Sequence, residues 1–145
     1  MRRRVLLIMA TMGLGVLLLS GVALADTIEG TSGPDDLIGT DSDDVIRASG
    51  GADYVSGLAA PDLLYAGAGN DTVVGRDGND DIYGNTGSDT LYGNHNNDTI
   101  NSSGDRTKDV VKCGLGKNDT AFVDEVDWVD ENCENVYMLV RAGSA

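Results

Sequence analysis

Eight aspartates stand at one phase of a nine-residue cycle: Asp35, Asp44, Asp53, Asp62, Asp71, Asp80, Asp89 and Asp98. Only 13 of the 72 residues from Gly30 to Asn101 are aspartate, so eight at one phase reflects placement and not composition. Carboxylates repeated in this way supply hard oxygen ligands. Ca²⁺ takes about six to eight such oxygens in flexible geometry, whereas Mg²⁺ demands a stricter octahedron and keeps its water. No His/Cys cluster accompanies the acids, so zinc is not indicated.

The rest of the cycle must position those carboxylates. Its first residue is Gly or Ala throughout, and its fourth is Gly33, Ser42, Gly51, Ala60, Gly69, Gly78, Gly87 or Asn96. Its eighth is always aliphatic: Leu37, Ile46, Val55, Leu64, Val73, Ile82, Leu91 and Ile100. Glycine at the first and fourth positions predicts turns with left-handed backbone angles and close approach between neighbouring turns. Such turns can direct main-chain carbonyls inward beside the carboxylate. The fourth repeat departs most, with Ala60 for glycine and Pro61 before Asp62, because alanine pays to reach positive φ.

This cycle resembles the RTX, or haemolysin-type, calcium-binding nonapeptide family, whose pattern is G-G-x-G-x-D-x-U-x. The resemblance covers 72 of 145 residues. It implies an all-β fold, a parallel β-roll solenoid of eight nonapeptide repeats. In such a roll two nonapeptides complete a coil of 18 residues, the strands are about three residues long, and calcium binds between successive turns on one side. On that coil Leu37, Val55, Val73 and Leu91 stack in one sheet, and Ile46, Leu64, Ile82 and Ile100 in the other. Turns 18 residues apart then pair Asp35 with Asp53, Asp44 with Asp62, Asp53 with Asp71, Asp62 with Asp80, Asp71 with Asp89, and Asp80 with Asp98. Up to about six Ca²⁺ ions follow from those pairs, with Gly33, Gly51, Gly69, Gly78, Gly87 and Asn96 shaping the turns. The core is thin. Eight mid-sized side chains at roughly 1.5–3 kcal/mol each cannot offset ordering 72 residues at about 1–2 kcal/mol each. Calcium is the expected missing contribution, since binding that requires the folded site is itself folding free energy.

Three segments are expected: a signal peptide over 1–25, a roll over 26–101 with repeats at 30–101, and degenerate coils with a cap over 102–145. Arg2–Arg4, the apolar run Val5–Val22 and Ala23-Leu24-Ala25 read as a secretory leader cleaved after Ala25. The alternative is a membrane anchor formed by an uncleaved leader. Cys113 and Cys133 then lie in an oxidising compartment and are expected to form one structural disulfide. Asp109-Val110-Val111, Asp119-Thr120-Ala121 and Asp127-Trp128-Val129 keep the Asp-x-apolar triplet out of phase and predict further coils. Residues Val136–Val140 predict a final strand in a terminal unit that covers the open core, with Phe122 and Trp128 buried near the disulfide. Tyr65 and Tyr83, 18 apart, are expected to stack on an outer face. His95 reads as a solvated turn residue, and Arg47 and Arg76 as relief of local repulsion.

The chain carries 24 acidic and 10 basic side chains, a net charge of −14. Loss of the three leader arginines leaves 24 acids against 7 bases, or −17. A polyanion repels nucleic acid and anionic membrane surfaces, and no spanning segment is expected to survive cleavage. Neither H-E-x-x-H nor G-x-S-x-G occurs, and no catalytic residue is assigned. The expectation is a secreted, extracellular calcium-binding protein that is disordered without its ions and does no bond chemistry. The alternative is a calcium-dependent adhesion or matrix module with a cell-surface or polysaccharide partner.

Overall fold

The computed structural model describes residues 25–140. The expected leader therefore lies outside the described residues, apart from Ala25. Thirteen strands follow in order: β1 (Thr27–Glu29), β2 (Asp36–Ile38), β3 (Val45–Arg47), β4 (Tyr54–Ala59), β5 (Leu63–Ala68), β6 (Thr72–Asp77), β7 (Asp81–Thr86), β8 (Thr90–His95), β9 (Thr99–Asn101), β10 (Val110–Leu115), β11 (Thr120–Asp124), β12 (Trp128–Val129) and β13 (Asn135–Leu139). No helix occurs among the described residues.

Successive strands alternate between two parallel sheets. One runs β1-β3-β5-β7-β9-β11-β13 and the other β12-β10-β8-β6-β4-β2, giving a β-solenoid of about six turns. The 18-residue register places Leu37 beside Val55, Val55 beside Val73 and Val73 beside Leu91. Ile46, Leu64, Ile82 and Ile100 form the matching row in the other sheet. All eight are fully buried, as the aliphatic eighth position requires. Ala48 and Ala66 are buried beside them at first positions, where the coil leaves room for little more than a methyl.

Strands β4 to β8 have six residues, twice the expected length. Main-chain pairing does not stop after the x-U-x triplet. It continues into the next turn, where Leu58 pairs with Arg76 and Gly67 with Asn85. Half of each glycine-rich segment is therefore sheet.

The out-of-phase triplets do extend the roll. Val111 stacks on Leu91 and Ala121 on Ile100, continuing both core rows. Cys113 and Cys133 are bonded, with Cα atoms 5.1 Å apart. Strand β13 pairs in parallel with β11, matching Ala121 to Val136 and Val123 to Met138. It does not close the core. Phe122 and Trp128 are 38% and 46% exposed, not buried, and Val136 to Val140 are exposed as well. Strand alternation explains Phe122: Ala121 and Val123 take the two inward positions, so the ring between them must point out. There it stacks on Tyr137, with centroids 5.3 Å apart.

Outer-face features follow the sequence more closely. The Tyr65 and Tyr83 rings stack with centroids 4.9 Å apart. Arg47 lies over Tyr65 and pairs with Glu29 at 3.2 Å. Arg76 Nε donates to Ser56 Oγ at 2.8 Å, and exposed His95 pairs with Asp77.

Candidate metal centre

All eight phased aspartates are buried, none more than 4% exposed. Each occupies the corner just before a strand, where the chain leaves a turn and enters the sheet. The backbone N–H of Asp35 donates to Oδ1 of Asp53 at 2.8 Å, and Asp53 N–H to Asp71 Oδ1 at 2.8 Å. Asp71 N–H reaches Asp89 Oδ1 at 2.9 Å. On the opposite edge the same bond joins Asp44 to Asp62, Asp62 to Asp80 and Asp80 to Asp98, at 2.8–2.9 Å. Every pair anticipated at a spacing of 18 is thus linked by one main-chain-to-carboxylate hydrogen bond. The result is two ladders, one along each edge of the roll.

Only one oxygen of each carboxylate is used in this way. Oδ2 of Asp53, Asp62, Asp71, Asp80, Asp89, Asp98 and Asp119 is buried and accepts no hydrogen bond. A buried, unpaired carboxylate oxygen is costly, and seven in register are not packing accidents. Main-chain carbonyls converge on the same space. A Cβ built on Gly75 would overlap Asp80 Oδ2 and lie 2.9 Å from the Gly93 carbonyl oxygen. One on Gly57 would overlap Asp62 Oδ2 and lie 3.0 Å from the Gly75 carbonyl. Gly57, Gly75 and Gly93 therefore keep open a cradle lined by carboxylate and carbonyl oxygen, whereas Ala48 and Ala66 take the same position before Asp53 and Asp71. The role of these glycines is space and not the left-handed backbone expected of them, since positive φ falls at the second and fourth positions. Ser49, Leu58, Gly67, Arg76, Asn85 and Asn94 carry it at the second, and Gly51, Ala60, Gly69, Gly78, Gly87 and Asn96 at the fourth.

Ala60, at φ 69°, adopts the strained turn that the sequence flagged. Ala60→Gly should raise stability by about 0.5–1 kcal/mol, the left-handed penalty less the added chain entropy of glycine. Thermal melts in saturating calcium check this; a lower melting temperature would show that the turn is not strained.

The first two turns differ. Thr31 and Thr40 occupy the second position, and each donates both its N–H and its hydroxyl to Oδ2 of the aspartate four residues on, Asp35 or Asp44. Gly33 is not left-handed there. In these turns a threonine supplies the donors that the later turns lack.

Burial pushes the unpaired carboxyls up in pKa, opposed by the ladder hydrogen bond and reinforced by neighbouring carboxylates. Asp98 rises to about 8, Asp62, Asp89 and Asp109 to about 7, and Asp80 to about 6. Asp53, Asp71 and Asp119 are raised for the same first reason. Among the described residues no three His, Cys, Asp or Glu side chains gather as a metal cluster. A cation here must draw on paired carboxylates and main-chain carbonyls together. That donor set is all oxygen and built by flexible turns, so it fits Ca²⁺.

Sequence phasing missed several members. Asp89 N–H donates to Asp109 Oδ1 and Asp98 N–H to Asp119 Oδ1, both at 2.8 Å, across spacings of 20 and 21. Asp109 N–H reaches Asp127 Oδ1 at 3.0 Å, and Asp119 N–H ends its ladder on Glu134 Oε2 at 2.9 Å. The triplets Asp109-Val110-Val111 and Asp119-Thr120-Ala121 were the available signal. Glu134 had none, because a glutamate in a loop breaks both residue type and phase.

A roll of parallel coils whose turns present paired, half-satisfied carboxylates defines a class: calcium-binding β-roll proteins. The family model for the RTX calcium-binding nonapeptide repeat (4 copies) matches residues 20–55, 47–82 and 74–106, more than half of the chain. The chain belongs to that family, whose rolls are typically structural rather than catalytic. Searches of curated proteins and of solved structures returned no match.

Proposed function

We propose that this is a secreted calcium-binding protein whose roll folds and rigidifies when it meets extracellular calcium, without bond chemistry. The observation that carries this reading is the row of buried Oδ2 atoms that accept no hydrogen bond. Bound calcium supplies positive charge and a coordination shell for oxygens that water cannot reach. The chain does the rest: Oδ1 of each aspartate fixes the corner of the preceding coil, glycines hold the cradle open, and the buried Oδ2 atoms would be left to hold the ion. Asp53, Asp62, Asp71, Asp80, Asp89 and Asp98 are the residues that hold it. In Asp35 and Asp44 threonine already occupies the second oxygen. Export rests on the leader pattern of residues 1–25.

Far-UV circular dichroism during a calcium titration, followed by a chelator, tests the reading. Strand signal should appear with calcium, saturate at several ions per chain and vanish on chelation. A metal-free chain already fully folded, unchanged by calcium, would overturn it. A second reading, a calcium-dependent contact module, draws on exposed strand β13, whose outer edge pairs with no strand among the described residues.

A further inference from the structure

Beyond the matched repeats, the turn Gly116–Asp119 stacks on the turn Gly93–Asp98. The chain between them is longer than in any repeat, yet the ladder bond is kept: Asp98 N–H donates to Asp119 Oδ1 at 2.8 Å. The side chain of Asn97 ties the two turns together, its Oδ1 accepting from the N–H groups of Lys117 and Asn118 at 3.0 and 3.1 Å. Asp119 is fully buried, and its Oδ2, like that of Asp98 below it, accepts no hydrogen bond. A Cβ on Gly116 would overlap the Asp119 carboxylate and approach the Asn96 carbonyl oxygen at 2.5 Å. The same cradle found in the repeats is therefore rebuilt here from a sequence that lacks the nonapeptide phase. An open groove borders it, lined by His95, Asn96, Asn97, Leu115, Gly116 and Lys117.

We infer that Asp98, the last phased aspartate of the family segment, and Asp119, beyond it, hold a further calcium ion between these turns, with Glu134 as its positioning residue. Glu134 Oε2 accepts the N–H of Asp119 at 2.9 Å and so fixes the turn from the side opposite Asp98. Glu134 follows Cys133, which is bonded to Cys113 at the end of the coil carrying β10. The ion and the disulfide thus fasten the same terminal loop to the roll by independent means. Lys117, exposed on the groove, can carry its ammonium into water on its long stem, and its peptide bond reports on the order of the turn.

This inference rests on the reading that the turns take calcium, and its test separates the two. Native mass spectrometry counts ions on the purified full chain and on Asp119→Asn and Glu134→Gln, while trypsin cleavage after Lys117 is timed in the same calcium series. Asp119→Asn should carry one ion fewer and lose calcium protection at Lys117. Glu134→Gln keeps an acceptor for Asp119 N–H, so it should fold, reach the parent count, and need about tenfold more calcium to protect Lys117, the usual scale for a residue that orients a ligand. If Asp119→Asn does not fold, the Glu134→Gln midpoint decides alone. Parent counts and parent midpoints in both variants would overturn the inference. A parent chain that holds no calcium at all would overturn the underlying reading instead.

Discussion

Asp80→Ala should bind two fewer calcium ions than the parent chain. Asp80 belongs to two turn pairs, with Asp62 before it and Asp98 after it, and each pair needs carboxylate oxygen from both members. The substitution also removes the acceptor for Asp62 N–H, and a buried donor left unpaired costs about 1–3 kcal/mol. Asp80→Asn separates the two effects. It keeps an acceptor for Asp62 while deleting the charge, so it should stabilise the metal-free roll near neutral pH and weaken the calcium-loaded one. Calorimetric titration of both variants, with Asp81→Asn as an exposed neighbour for control, reads the stoichiometry directly. An unchanged count in Asp80→Ala would show that the paired turns do not share calcium through Asp80.

The metal-free roll should gain stability as pH falls from 8 to 4. In the folded chain Asp98 titrates at about 8, Asp62, Asp89 and Asp109 at about 7, and Asp80 at about 6, against 3.8 for an unperturbed aspartate. Below the unfolded value both states hold these protons and burial exacts no charge penalty. Between the unfolded and folded values the unfolded chain has released protons that the folded chain retains, so stability falls as pH rises. The loss is complete once pH passes the highest folded value. Calcium must displace the same protons, so its apparent affinity should rise over the same window. Far-UV strand signal in chelator at pH 4.5 and pH 8, with calcium titrations at both, checks both signs. A metal-free chain with more strand signal at pH 8 than at pH 4.5 would contradict the account.

How much of this was legible in the sequence depended on whether chemistry or geometry set the residue. Asp71 and Ile82 were legible because a buried ladder carboxylate and a core position each accept few residue types, and a solenoid repeats that demand at fixed spacing. Asp119 was visible only as a triplet, because extra residues between coils are absorbed in the bends and erase the phase while leaving the ladder intact. Gly75 was recognised, but for the wrong reason: a sequence cannot distinguish a glycine needed for its backbone angle from one needed for the space beside it. Arg76 gave no sign of its left-handed conformation, which arginine adopts only because the paired strand around it dictates the turn. Trp128 was expected inside as part of a cap near the disulfide. Yet β12 is two residues long and ends its sheet, so no neighbouring strand covers that ring. Thr31 and Thr40 carried no signal in the repeat, and only the hydrogen bonds show that they occupy the second oxygen of Asp35 and Asp44.

The Asp N–H to carboxylate bonds of the two ladders all run the same way. Each coil gives its N–H to a carboxylate that lies further along the chain, never to one already laid down. A coil therefore cannot finish itself; it waits for the next to arrive and inherits its completion from it. Such an assembly has a polarity, like a zip whose slider can travel in one direction only. A chain cut short anywhere inside the roll exposes an unmet donor at its last corner, and the open end moves with the cut. In the intact chain that burden passes from coil to coil until Asp127 takes it on one edge and Glu134 on the other. Asp127 and Glu134 are thus the two acceptors on which the ladders close.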